Sequence, residues 1–464
     1  MKTISIPGRS RSSLAALWAG CFLAVNAFVL LAEDRLSSAK KAFAEGDYAG
    51  VVRVLEVDPA LSRDCESMLL LGLSRYRLER VDEALVDLQE ASACNPKNMI
   101  ARTALAEAWL RKGDDQRALA LFEAVLKETP ENKVALADAA SLYLKHDLNQ
   151  QASDVLEKLI PLEPGISKLH ADLGAAYAGL NDFTKSRESF DKALRLDPKN
   201  VSALIGLGHV ELKTGHQDEA IQLLNRAQAA DPRAFEPHFL LGTVWNEQKR
   251  YAEAIRECKE ALRLGGKDPQ IYYHLARAYH GSGNEEESRK AMAEFAALRN
   301  KADQSEEKQR ESHRLVEQAK AMVDANRLDE AIALLEQSRK ANGGVDSQLL
   351  FRLAGLYYDT KQFGKAREDV EAAIGLAPAE WSYQYLAGLI AESTGRLDEA
   401  TNRLSTAARL NPARAELFNE LGNVAMAQRN YSEAAREFEA AAKLDRNEPA
   451  YETNARTAKQ LAGK

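Results

Sequence analysis

Metal ligation, nucleophilic catalysis and phosphate binding each need particular residue types at fixed spacing. Eight histidines are spread along the chain, with no His-Glu-x-x-His or comparable cluster that would hold a metal. His170 and His238 fall at positions where apolar residues otherwise recur, so they read as packed side chains rather than ligands. Gly206 and Gly208 imitate the opening of a dinucleotide fingerprint, but no strand pattern precedes them and helix packing explains both. Asn200-Val201-Ser202 and Asn430-Tyr431-Ser432 are glycosylation acceptors only in a eukaryotic secretory route. The residues therefore give no catalytic group, no cofactor site and no metal site, and the chain does not read as an enzyme. What reactive chemistry is left belongs to cysteine. Cys258 sits at an apolar position and reads as a buried free thiol. The reading of Cys65 and Cys94 depends on the elements that place them.

Composition narrows the class. Of 464 residues, 45% are hydrophobic and 28% charged, an ordinary folded balance. A net charge of −7 argues against a nucleic-acid groove, which is normally basic. Residues 1–32 differ from the rest. Lys2, Arg9 and Arg11 form a basic stretch without an acid, and Leu14 to Ala32 is apolar apart from Asn26. That is the layout of a secretory signal, with small residues at Val25-Asn26-Ala27 for cleavage. The apolar run is also long enough to attach the chain to a membrane, through residues 14–32, uncleaved. A lipid on Cys21 is a third option, opposed by Trp18 and by the apolar run beyond Phe22. Signal and anchor both predict the remainder on the outer side of a membrane, periplasmic or secreted.

The remainder is periodic. From Leu71-Gly72, Ala84, Ala91 and Pro96, a step of 34 residues reaches Leu105-Ala106, Trp109, Ala118, Phe122 and Pro130. Further steps reach Leu173-Gly174, Tyr177, Ser186, Phe190 and Pro198, then Leu207-Gly208, Ala220, Leu224 and Pro232. Counting so that Gly72 is eighth, the eighth residue is Gly or Ala in all eleven full units and the twentieth is Ala or Ser. Each unit predicts two helices around a turn such as Lys112-Gly113-Asp114, with small residues where they cross. Pro198, Pro232 and Pro412 stop the second helix. Antiparallel pairing would bring Cys65 and Cys94, at the two ends of one unit, close together. They are either a disulfide of an oxidising compartment or two free thiols.

These residues resemble the tetratricopeptide-repeat family from about residue 33 to the C-terminus. The resemblance implies an all-α protein, a right-handed α-solenoid superhelix of about twelve helix-turn-helix repeats. Residues 33–300 would form a first block of about eight, and 301–464 a second of about four with a capping helix over Ala450 to Leu461. The register slips between Phe295 and Leu315. Arg299 to Arg314, charged and free of Gly and Pro, reads as a solvated helix or a hinge, with Asp303 and Glu306 as a capping box for a new helix.

What the family implies about function is binding of protein or peptide partners in a groove lined by the first helix of each repeat, chiefly at positions five, nine, twelve and thirteen. Position five becomes aromatic along the chain at Phe239, Tyr273, Phe351 and Tyr385, interrupted by Val316. Arg277, His280 and Tyr358 share that face. Aromatics and Arg concentrate interface energy, so these seven residues are the candidate partner-binding groove. The alternative is that they pack against neighbouring repeats. The Lys and Asn of the family's carboxylate clamp are missing from the matching positions. The expected role is a scaffold or adaptor of a cell envelope or secretory compartment, in a narrower version a polysaccharide-export or outer-membrane assembly factor. An enzyme with a cryptic site would need an insertion that the periodic helices do not leave.

Overall fold

The computed structural model describes residues 35–56, 64–342 and 346–463. The expectations for residues 1–32 lie outside the described residues. Among the described residues every regular element is a helix, and no helix is long and apolar enough to cross a membrane. The protein is an all-α repeat solenoid.

The chain divides into two compact units. The first combines Met1–Asp114 with Asp346–Lys464. Its N-terminal part holds α1 (35–44), α2 (Tyr48–Glu56), α3 (Cys65–Arg77), α4 (Val81–Cys94) and α5 (Met99–Lys112). The second, Asp115–Val345, begins with α6 (Asp115–Glu128), α7 (Lys133–Lys145), α8 (Asn149–Leu159), α9 (Ser167–Gly179) and α10 (Phe183–Leu196). It continues with α11 (Val201–Thr214), α12 (Gln217–Ala230), α13 (Glu236–Glu247), α14 (Tyr251–Arg263) and α15 (Pro269–Gly281). The unit ends with α16 (Glu285–Asp324) and α17 (Leu328–Asn342). The C-terminal part of the first unit holds α18 (Ser347–Asp359), α19 (Phe363–Leu376), α20 (Trp381–Ser393), α21 (Leu397–Leu410), α22 (Ala415–Ala427), α23 (Tyr431–Leu444) and α24 (Pro449–Ala462).

The small eighth residue explains the pairing. A Cβ on Gly174 would lie 2.7 Å from the ring of Phe190, and one on Gly422 would lie 2.5 Å from Phe438. The same approach joins Gly242 to the thiol of Cys258 and Gly388 to Leu404. The twentieth residue closes the crossing from the other side. Ser186 Oγ donates to the Gly174 carbonyl at 2.7 Å, and Ser288 Oγ to that of Ala276 at 2.9 Å. Around these crossings, where the first (A) helix of a repeat meets the second (B), the B-helix residues Phe122, Phe190, Leu224 and Cys258 are fully or almost fully buried.

Turns and caps follow from single residues. The fifteenth residue of each full repeat has positive φ, supplied by Gly at 113, 215, 283 and 395 and by non-glycine residues such as Asn181, Lys249 and Arg429. Asn98, Asn132 and Asn200 open α5, α7 and α11 by accepting backbone N–H bonds through their side chains, satisfying groups that a helix start leaves unpaired.

Two segments answer open questions. Cys65 and Cys94 are joined, with Cα atoms 5.6 Å apart, so the α3–α4 hairpin is covalently closed. The capping box expected at Asp303 and Glu306 does not start a helix. Asn284 caps α16, which runs 40 residues without a break because nothing between Glu285 and Asp324 stops it. Residues 299–310 of that helix are exposed all round, as a charged, solvated helix should be.

Candidate partner-binding faces

On α15, Tyr273, Arg277 and His280 lie at i, i+4 and i+7, the spacing that puts side chains on one helix face. Tyr273 is 38% exposed, and Arg277 and His280 are exposed beyond it. The Tyr273 ring contacts Phe295 of α16 at 5.7 Å and His274 at 5.4 Å. Phe239 of α13 is half-buried, edge-on to His274 at 5.7 Å. Asn246 Nδ2 donates to the His274 carbonyl at 2.8 Å and fixes α13 against α15. Burial, and then the Arg277 charge, hold the His274 imidazole below its usual pKa. The ring is therefore neutral at neutral pH, and the positive charge of this patch rests on Arg277. His280 Nδ1 lies 2.8 Å from Glu285, at the start of the next helix.

In the first unit the position-five aromatics form a second, separate cluster. Phe351 is half-buried against Tyr383 at 4.8 Å, and Tyr385 lies 6.4 Å from Trp381, over which Arg414 sits at 5.3 Å. Tyr358 is half-buried against Phe363, and its hydroxyl accepts from Ser393 Oγ at 3.2 Å. Burial, then Glu420 and Glu416, push the Tyr385 phenol up to about 12, so it stays a neutral donor. Val316 is half-buried in α16. None of the four aromatics is fully buried, Tyr273 is the most open, and the other three share their rings between packing and solvent.

The periodic pattern does not reveal the side chains that support these rings. His274, Phe295 and Trp381 lie outside the positions counted as groove-lining, and only the packing of α15 on α16 and the start of α20 brings them in. Their aromatic character was the available signal.

One cluster has metal-ligand types. Ligand atoms of Glu211, His216 and Glu219 converge within 4.8 Å of one another. Arg187 Nη2 reaches into it, 2.5 Å from Glu211 and 3.3 Å from His216 Nδ1. A guanidinium at that point makes the group an ion-pair network tying α10 to α11, because a second cation there would be repelled. Cys258 is fully buried, and burial followed by Glu257 pushes its thiol up to about 12, which leaves it unreactive.

Two sequence profiles described as tetratricopeptide repeat match the chain. One covers residues 69–133, 171–235, 205–269, 316–381, 356–401 and 385–449, and the other 110–176 and 246–306. The protein CTR9 homolog of Arabidopsis thaliana is 27% identical over 201 residues, 41% of this chain and 18% of that protein. The TPR repeat-containing protein YpiA of Bacillus subtilis is 24% identical over 239 residues, 52% of this chain and 54% of that protein. The chain thus spans about half or less of the length of these relatives. Among solved structures, a tetratricopeptide repeat protein from Parabacteroides merdae is similar at 17% identity, with a TM-score of 0.42, over 54% of this chain and 99% of that one.

Proposed function

We propose that this chain, which belongs to the tetratricopeptide-repeat family, is a protein-interaction scaffold that works on the outer side of a membrane and holds partner peptides or helices on the inner faces of its A helices. Tetratricopeptide-repeat proteins bind protein partners, so the family supports the scaffold half of this reading. The observation that carries the binding face is the α15 patch. Tyr273 stands open beside two aromatic supports, with Arg277 exposed one turn on, a pairing that repeat packing does not require. Tyr and Arg held rigid at a surface lose little entropy on binding and anchor interfaces well.

Two features support export. The basic and then apolar stretch before Ala32 has signal character, and a Cys65–Cys94 disulfide belongs to an oxidising compartment. A fusion of residues 1–32 to a reporter active only outside the cytoplasm tests this half. An inactive reporter would remove the envelope from the proposal while leaving the scaffold in place.

The binding half is tested by crosslinking the full chain in its native host and identifying what comes with it. Tyr273→Ala combined with Arg277→Ala should lower partner capture about tenfold while the thermal transition shifts by less than about 2 °C. A large drop in thermal stability would assign these residues to packing instead.

A further inference from the structure

The groove face of α9 is hollow. At positions nine, twelve and thirteen it carries Ala175, Ala178 and Gly179, where α11 carries His209, Leu212 and Lys213 and α7 carries Ser141, Leu144 and Lys145. The result is a cleft of about 440 Å³ between α9 and α11, floored by Phe190. Gly206 is required for that floor, since a Cβ there would lie 2.3 Å from the Phe190 ring. The walls are apolar except along one side. His209 and Lys213, both exposed, are the titratable groups lining the cleft, and neither makes an ion pair or hydrogen bond among the described residues. The carboxylates of the surrounding helices are engaged elsewhere. Asp172 pairs with Lys168 at 2.5 Å, Asp182 with Lys185 at 3.8 Å and Glu211 with Arg187 at 2.5 Å.

We infer that this cleft is a socket for one bulky apolar side chain of a partner peptide, with an adjacent carboxylate of that peptide seated on Lys213 and His209. The inference rests on the groove reading above and adds the chemistry of the partner. An aromatic ring needs about 150 Å³, so the cleft admits one ring or branched side chain together with its flanking peptide unit. The occupant is acidic because the one charge offered to it, that of Lys213, is positive and uncompensated, and a carboxylate beside it gains a charge-assisted hydrogen bond. Burial, and then the Lys213 charge, hold the His209 imidazole below its usual pKa, so it takes part as a neutral hydrogen-bonding group. The remaining rim group, Asn181, is neutral and adds a donor and an acceptor for a peptide backbone.

The test uses the full chain and an N-terminally fluorescein-labelled peptide, fluoresceinyl-Gly-Ser-Phe-Asp-Ser-Gly-amide, with the Asp-Phe order as a second probe, read by fluorescence anisotropy. At least one order should bind, and replacing its Phe by Ala or its Asp by Asn should weaken binding tenfold or more. Ala178→Leu should abolish binding without moving the thermal transition, because Leu110, Leu144 and Leu212 already occupy the equivalent place, half-buried, in other repeats. Lys213→Arg should retain binding and Lys213→Ala should lose it. No binding of either order at millimolar peptide, or equal binding to the Ala178→Leu chain, overturns the socket. So does N-acetylphenylalanine binding as tightly as the peptide, which would make the cleft a small-molecule site. If Ala178→Leu binds no peptide but still captures crosslinked partners, those partners dock elsewhere and the socket is not their site. If the socket fails and the Tyr273 and Arg277 variants still lose capture, the scaffold reading stands without it.

Discussion

Asp87 of α4 is placed where its charge is costly. Arg75 donates to it at 2.5 Å, yet burial outweighs that ion pair and pushes the carboxyl up to about 7. A carboxyl whose folded pKa lies above its unfolded one keeps its proton in the fold longer than in the open chain. Its contribution is fully present below its ordinary value of 3.8 and is lost as pH rises to about 7. Urea midpoints measured across that interval should therefore fall with rising pH, and Asp87→Asn should flatten the fall. An unchanged slope would mean that Arg75 has already drawn the carboxyl back to ordinary acidity. The cysteines give a second residue-scale outcome. Non-reducing peptide mapping should recover Cys65 linked to Cys94 and Cys258 free and unalkylated in the native protein. Paired Cys65→Ala and Cys94→Ala changes should destabilise by roughly 2–4 kcal/mol through the unfolded chain.

At the scale of the element, the hairpin is the unit that the sequence makes legible. Gly174 and Ser186 point to a crossing because nothing larger fits there, and the Phe190 ring does lie against Gly174. Ala220 occupies the same place in the next hairpin and is fully buried near Gly208. Ala220→Phe should destabilise by about 1–3 kcal/mol by overpacking, while Glu188→Ala, on the exposed face of α10, should change the melting curve little. The turn offers the opposite sign. Lys249 holds a left-handed conformation at φ 59°, where Gly215 and Gly283 stand in other repeats. A left-handed backbone costs a side-chain-bearing residue about 1–2 kcal/mol, so Lys249→Gly should raise stability by roughly 0.5–1 kcal/mol after the entropy loss of glycine. A fall in the chemical-denaturation midpoint would show that Lys249 makes contacts worth more than the strain. Elements were less legible where the period slips. Asp303 and Glu306 have the spacing of a helix start, but a capping box acts only where the chain has first left the helix, and no residue of α16 makes it do so. The aromatic fifth positions were legible as residues and not as surfaces, because exposure depends on neighbours such as Phe295 and Trp381 that keep no fixed spacing from them.

At the scale of the whole chain, the first unit assembles helices from opposite ends of the sequence, and periodicity is silent about that. Arg409 of α21 donates through Nε to Glu90 of α4 at 3.0 Å, across 319 residues of chain. Both belong to B helices, whose outward faces are elsewhere left to solvent. Glu90 is 6% exposed, whereas Lys158, Lys192 and Arg226 at the same repeat position are exposed. Leu410 is 1% exposed, whereas its equivalents Leu196 and Leu444 are 44% and 46% exposed. Two outward faces that cover each other account for both exceptions, so α4 and α21 form a clasp between the early and late repeats. Burial raises the Glu90 pKa more than Arg409 lowers it, which means that the carboxylate is tolerated in the clasp rather than driving it. The two partners should then respond unequally to substitution. Arg409→Ala leaves a buried carboxylate unpaired and should weaken the clasp by roughly 1–3 kcal/mol. Glu90→Gln keeps the shape and a hydrogen-bonding amide without the buried charge, and should be neutral or slightly stabilising. Hydrogen exchange resolved by peptide reads the difference. Amides of α4 and α21 should open faster in Arg409→Ala and not in Glu90→Gln, while those of α9 to α12 keep their wild-type rates in both. Equal protection in all three proteins would mean that the two helices are not in contact in solution. Equally faster exchange in both variants would mean that the ion pair, rather than the apolar cover around Leu410, holds the two helices together.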